Sequence, residues 1–127
     1  VVSRTIIARQ RSRWGEFFLY LDLESLMTRD ETRRRAYDRE SDEGRRRLIE
    51  RYRADLRTNV VDLDIVTIPS SFEIIDTRYS ANHGTVRVIE KFDYHSYLMV
   101  KEYDYELLRR DNVWYIVAYS VLNKGTE

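Results

Sequence analysis

Apolar residues in this chain recur at helical spacing up to about residue 58 and alternate with polar ones after it. The switch from a period of three to four residues to a period of two predicts helices first and strands second. Only these two repeats gather apolar side chains on one side of an element. The later runs are joined by short turns, so their strands must be antiparallel, because parallel neighbours need a long crossover. The expected class is α+β, with N-terminal helices packed on a curved antiparallel sheet. At 127 residues and 43% hydrophobic content, residues 1–127 are expected to form a single domain with one core.

The first helix is read from Ile7, Trp14, Phe17, Phe18 and Leu21, an apolar stripe opposite Arg9, Arg13 and Glu16. Asp22 can cap a short second helix carrying Leu23, Leu26 and Met27, and Thr28-Arg29-Asp30-Glu31 has capping-box spacing. Ser41 or Asp42 starts a third helix with Leu48, Ile49, Tyr52 and Leu56 on one face, and Glu43/Arg47 and Arg51/Asp55 as i,i+4 pairs. Strands are expected over Leu63–Ile68 and Phe72–Tyr79, with Pro69-Ser70-Ser71 interrupting them. Asn82-His83-Gly84 supplies turn residues before a strand with Val86, Val88, Glu90 and Phe92 on one face. A strand from Leu98 to Leu108 follows, then the tight connection Arg109-Arg110-Asp111-Asn112 and a last strand from Val113 to Leu122. That last strand is apolar on both faces. Helices are expected on one, and a second surface such as a dimer partner on the other, with Tyr115, Val117 and Tyr119 as interface candidates.

The aromatic first segment Phe17-Phe18-Leu19-Tyr20-Leu21-Asp22, the amphipathic third helix and the closing Asp111-Asn112-Val113-Trp114-Tyr115-Ile116 resemble the nuclear transport factor 2-like, cystatin-like superfamily over roughly residues 5 to 122. The resemblance implies a cone whose helices close over a strongly bent sheet, with Trp14, Phe17, Phe18, Tyr52, Phe92 and Trp114 in its core or pocket. It implies no single function, since the superfamily holds isomerases, dehydratases and polyketide cyclases as well as transport adaptors and assembly domains without catalysis.

Lysine plus arginine equals aspartate plus glutamate at 22 each, which removes the long-range positive field that non-specific nucleic-acid binding needs. The arginines at 29, 33, 34, 35, 39, 45, 46, 47, 51 and 53 are interleaved with acids at 30, 31, 38, 40, 42, 43 and 50, and are read as a solvated, ion-paired helical face. With no cysteine, a disulfide framework and a thiol nucleophile are excluded. His83 and His95 fall in turns without metal-ligand spacing, and neither a phosphate-cradling glycine loop nor a nucleophile elbow is present, so no metal and no cofactor is expected. An isomerase-like reaction would need a carboxylate base and hydrogen-bond donors inside an apolar cone. Glu90, Tyr20, Tyr103 and Tyr105 are the residues of suitable type, and pairing of Glu90 with Lys101 or an arginine is the structural alternative.

These readings favour a non-enzymatic protein-interaction or scaffolding domain, covered by a homodimer or protein partner through its sheet. The alternative is a small-molecule binder or isomerase/dehydratase-like enzyme with a small hydrophobic ligand in the concave pocket. No apolar run reaches the ~18 residues of a membrane-spanning helix. The chain begins Val1-Val2-Ser3, as a processed protein or a fragment would, and a signal removed upstream would place it in the periplasm or at the envelope.

Overall fold

A computed structural model describes residues 1–58 and 60–127. Among these residues the helices are α1 (Val2–Gln10), α2 (Trp14–Leu19), α3 (Leu23–Met27), α4 (Glu31–Asp38), α5 (Asp42–Arg57) and α6 (Leu63–Val66). They precede β1 (Ser71–Tyr79), β2 (His83–Asp93), β3 (Leu98–Arg110) and β4 (Val113–Thr126), an antiparallel sheet in the order β1-β2-β3-β4. The α+β class and the order of elements are those the change of period predicts.

The expected first helix is two. Ser12 adopts φ of 55°, its amide bonds the Arg9 carbonyl, and the Arg13 amide reaches back to Ala8 at 2.8 Å. This is a Schellman stop with serine in the left-handed position that glycine usually takes. The break rotates the buried face of α1: Val2, Thr5, Ile6 and Arg9 face inward, while Ile7 is 36% exposed. Leu21 leaves the helix and forms a parallel bridge with Ile116, and the Tyr20 carbonyl and Asp22 amide bond to Ile116, covering part of the β4 edge.

Asp22 caps α3 through the Ser25 amide at 3.0 Å, and its other oxygen takes an Arg110 bond at 2.6 Å. Asp22→Ala removes both and is expected to cost about 1–2 kcal/mol in urea unfolding. Asp30, not Thr28, caps α4, accepting from the Arg33 amide. Ser41 caps α5, which buries Tyr52 and Leu56 with Leu48 and Ile49 half-buried beside them. The Glu43–Arg47 pair forms at 3.5 Å, whereas Arg51 and Asp55 make no ion pair among the described residues.

Leu63–Ile68 is not a strand. Asp62, at φ 44°, turns the chain into the short helix α6, whose Ile65 and Val66 enter the core. The Asp62 carboxylate receives the Tyr52 hydroxyl and the Arg33 guanidinium, and these bonds fix the turn against α5.

Three register shifts bend the sheet, at Ile74/Asp76 in β1 and at two places along β4, opposite Glu106/Leu107 and Val100/Lys101. Asp111 and Asn112 both have positive φ, so β3 and β4 are joined by a two-residue turn of the primed kind that strand twist favours. Facing pairs place Phe72, Val88, Glu90, Tyr103, Tyr105, Leu107, Ile116 and Tyr119 toward the helices. Among the described residues, the opposite side of the sheet carries no helix of its own. Of the expected core, Phe17, Tyr52 and Phe92 are buried, and Trp14, Phe18 and Trp114 pack against them partly buried.

Candidate functional site

The chemistry-bearing groups nearest the centre of the fold meet at Glu90. Position 90 faces inward because β2 alternates, and the matching inward position on β3 brings the Tyr105 hydroxyl to Glu90 Oε2 at 2.5 Å. From the other side Arg9 Nη2 donates to Glu90 Oε1 at 3.2 Å. Arg9 Nη1 donates to the carbonyls of Ile65 at 2.5 Å and Thr67 at 2.9 Å, satisfying groups at the end of α6 that have no helical partner. The guanidinium lies 5.9 Å from the centre of the Phe17 ring. Glu90 is 0% and Arg9 1% exposed, so the carboxylate is enclosed by an arginine and a tyrosine and closed to solvent.

Burial pushes the Glu90 carboxyl above its ordinary value, against the pull of Arg9 and the Tyr105 hydrogen bond. Burial likewise raises the Tyr105 and Tyr103 hydroxyls. Because folded Glu90 holds its proton more tightly than the unfolded chain does, its contribution to stability is full below the ordinary value of 4.5. That contribution is lost as pH rises from there through the raised value. Asp104, held low by Arg87, has the opposite sign: its contribution is present above the ordinary aspartate range and lost as pH falls. Comparison with Glu90→Gln isolates the first effect. The unfolding free energy of the native chain minus that of the variant should fall with rising pH across that window, measured by urea titration at several pH values.

The other isomerase candidates are not brought to this carboxylate. The Tyr103 ring stacks on Tyr105 at 5.6 Å, but its hydroxyl donates to the Asp64 carbonyl. Tyr20 accepts from Arg4 at the surface. Lys101, the cross-strand neighbour of Glu90, reaches Asp64 at 3.1 Å instead. The partner of Glu90 is Arg9, which the first-helix stripe places on the polar side. The spacing of Val2, Thr5, Ile6 and Arg9 is the signal for it, and it becomes readable only once the helix is known to stop at Gln10.

His83 and His95 are exposed, His95 at φ 69° in the β2–β3 turn, and among the described residues no three histidines or carboxylates are grouped to hold a metal ion. In the arginine series, Arg35 and Glu31 pair at 2.6 Å and Arg53 and Glu50 at 3.7 Å. Arg29 lies 4.4 Å over the Tyr119 ring, and Arg45 caps the Tyr37 and Asp38 carbonyls.

The outer face of the sheet is organised in bands. Edge strand β4 presents Tyr115, Ala118, Ser120 and Leu122, β3 presents Glu102, Asp104 and Glu106, and β2 presents Arg87, Ile89 and Lys91. The register passes from Leu107 opposite Ile116 to Glu106 opposite Ala118, so Val117 is the extra residue between inward-facing Ile116 and Tyr119 and shares the outer side with Ala118. The three interface candidates are therefore split. Tyr115 and Val117 lie outside, half-buried, whereas Tyr119 is turned into the core, where burial pushes its hydroxyl up to about 12. Arg87 forks onto Asp104 at 2.8 and 3.2 Å. Among the described residues, no helix is long and apolar enough to cross a membrane.

The backbone resembles that of a protein from Campylobacter jejuni described as an NTF2-like transpeptidase. Its crystal structure superposes with a TM-score of 0.51 over 91% of this chain and 93% of that one, at 12% sequence identity. At that identity the likeness shows the fold alone, and the fold is nuclear transport factor 2-like. No curated protein matches the chain in sequence. Residues 1–127 match the family described as flagellar collar protein C, C-terminal domain, and the chain belongs to that family.

Proposed function

We propose that this domain is a non-enzymatic scaffold that pairs with a second copy of itself through the outer face of its sheet, within a collar assembly at the flagellum or cell envelope. The observation that carries the reading is the pairing of a closed interior with an outer sheet face that is banded by apolar and charged residues. Arg9, Glu90 and Tyr105 are hydrogen-bonded to one another in a buried cluster at the centre of the cone. The outer face, in contrast, combines an apolar band on β4 with an acidic band on β3 and a basic one on β2. Such bands are self-complementary about a two-fold axis, which sets the acids of one copy against the bases of the other. The family description supports an assembly role, and the fold, which hosts enzymes and non-enzymes alike, does not decide between them.

Sedimentation equilibrium over a wide concentration range tests this. The expected result is a reversible monomer–dimer equilibrium that weakens with salt, since charge bands at the rim of an interface are screened. A strict monomer at the highest concentration would remove the second copy as the partner.

A further inference from the structure

A second feature lies at the end of the cone where the β1–β2 turn meets the start of α1. There a groove of about 670 Å3 opens between Val2, Tyr79, Val86, Leu107 and Trp114, with Arg109 on its rim. Its size falls within the usual range for small-ligand sites. Gly84 forms part of its wall, where a Cβ would make ordinary contact with the Trp114 ring and with Tyr79, each at 3.5 Å. Tyr79 stands 78% exposed with its ring edge-on to Trp114 at 6.5 Å. An exposed tyrosine held against a half-buried tryptophan makes an aromatic wall that an apolar chain can cover.

The polar side of the groove has one sign. No carboxylate lines it among the described residues. Arg78, at the border, is engaged by Asp76 at 3.0 Å, but Arg109 is held only by the neutral Asn112 side chain at 3.2 Å and keeps donors free. Arg109 faces Trp114 across the β3–β4 pairing, so its charge sits beside the aromatic wall. An arginine with free donors at the edge of an apolar trough is matched by a carboxylate on an apolar chain, because the planar fork binds the two oxygens together.

We infer that this groove is a binding site for an apolar monocarboxylate, with the carboxylate on Arg109 and the hydrocarbon along Val86, Leu107 and Trp114. The site is independent of the outer sheet face, and its test stands apart from the test of self-association. Octanoate and octanol are titrated into the labelled domain, and backbone amides and the two tryptophan indoles are followed by NMR. Octanoate should saturate, moving the Gly84 and Leu107 amides and the Trp114 indole while the Trp14 indole stays fixed. Octanol should bind about tenfold more weakly or worse, the value of one charge-assisted hydrogen bond. Arg109→Gln, an exposed change, should reduce octanoate binding to the octanol level and leave octanol unaffected. Equal binding of acid and alcohol, an Arg109→Gln variant that holds octanoate as tightly as the native chain, or shifts that never saturate or spread over the whole surface would each overturn the assignment.

Discussion

Arg9→Ala is expected to destabilise the domain by about 3–5 kcal/mol, a large share of the 5–15 kcal/mol that holds a typical domain together. The loss has three parts. The Glu90 carboxylate is left in the core without its cation, the Ile65 and Thr67 carbonyls lose their donor, and the space beside Phe17 is emptied. Protonation of Glu90 can relieve the first part, so the loss should be smaller in mild acid and grow toward neutral pH. Arg9→Met keeps most of the volume and should cost less. Combining Arg9→Met with Glu90→Leu and Tyr105→Phe removes every side-chain member of the network. It should recover part of the stability, because an apolar replacement of a buried ion pair is often neutral, while the two carbonyls still lack a donor. Urea unfolding of the three variants at two pH values checks the whole scheme. If the triple variant proves no more stable than Arg9→Met alone, the network is not a coupled unit.

The order of elements was legible because long periodic segments speak for themselves. Leu48, Ile49, Tyr52 and Leu56 mark α5, Ser41 marks its start, and the Asp111-Asn112 pair marks the β3–β4 turn. The failures share one cause, which is that a short segment's structure is decided by what it packs against. Leu63–Ile68 has the composition of a strand, but an apolar run of that length suits a buried helical turn equally well, and the bonds of Asp62 to Tyr52 and Arg33 select the helix. The stop at Ser12 carries neither glycine nor proline, so a continuous stripe through Trp14 looked sound, and Arg9 fell on the wrong side of it. For the site, Glu90 and Tyr105 were readable from strand alternation. Their partner was not, because a buried arginine defies the ordinary rule that arginine faces water. Tyr119 was misread for a related reason. A bulge at Val117 moves the residues of β4 from there to the second register shift, after Asn123, to the other face, and no residue type announces it.

The second large effect is expected on the outer face. Val117→Glu together with Leu122→Glu should weaken self-association by at least about a hundredfold, because each puts a carboxylate into the apolar band of β4 that association would take out of water. Both side chains lie outside the core, Leu122 at 55% exposed, so the monomer should stay folded with only a modest fall in melting temperature, from the new charge opposite Glu102. Arg46→Glu on the exposed side of α5 serves as the control, since it alters charge without touching the sheet. Sedimentation velocity on the three proteins at matched concentration reads the result. Equal weakening by the helix variant and the sheet variant would mean that net charge, rather than the face, governs association.

The absence of cysteine from the sequence makes the most direct test a simple one. Single reporters are placed at Ile89→Cys on β2 and Glu102→Cys on β3, the bands that the two-fold axis sets against each other, and at Arg46→Cys on α5; the sheet variants are oxidised singly and mixed, and disulfide formation under mild oxidation is followed on non-reducing gels. If the outer face is where copies meet, at least one of the sheet cysteines should give a crosslinked dimer rapidly at low protein concentration, and the helix cysteine should remain monomeric. Rapid crosslinking through the helix position, with the sheet positions inert, would contradict the account.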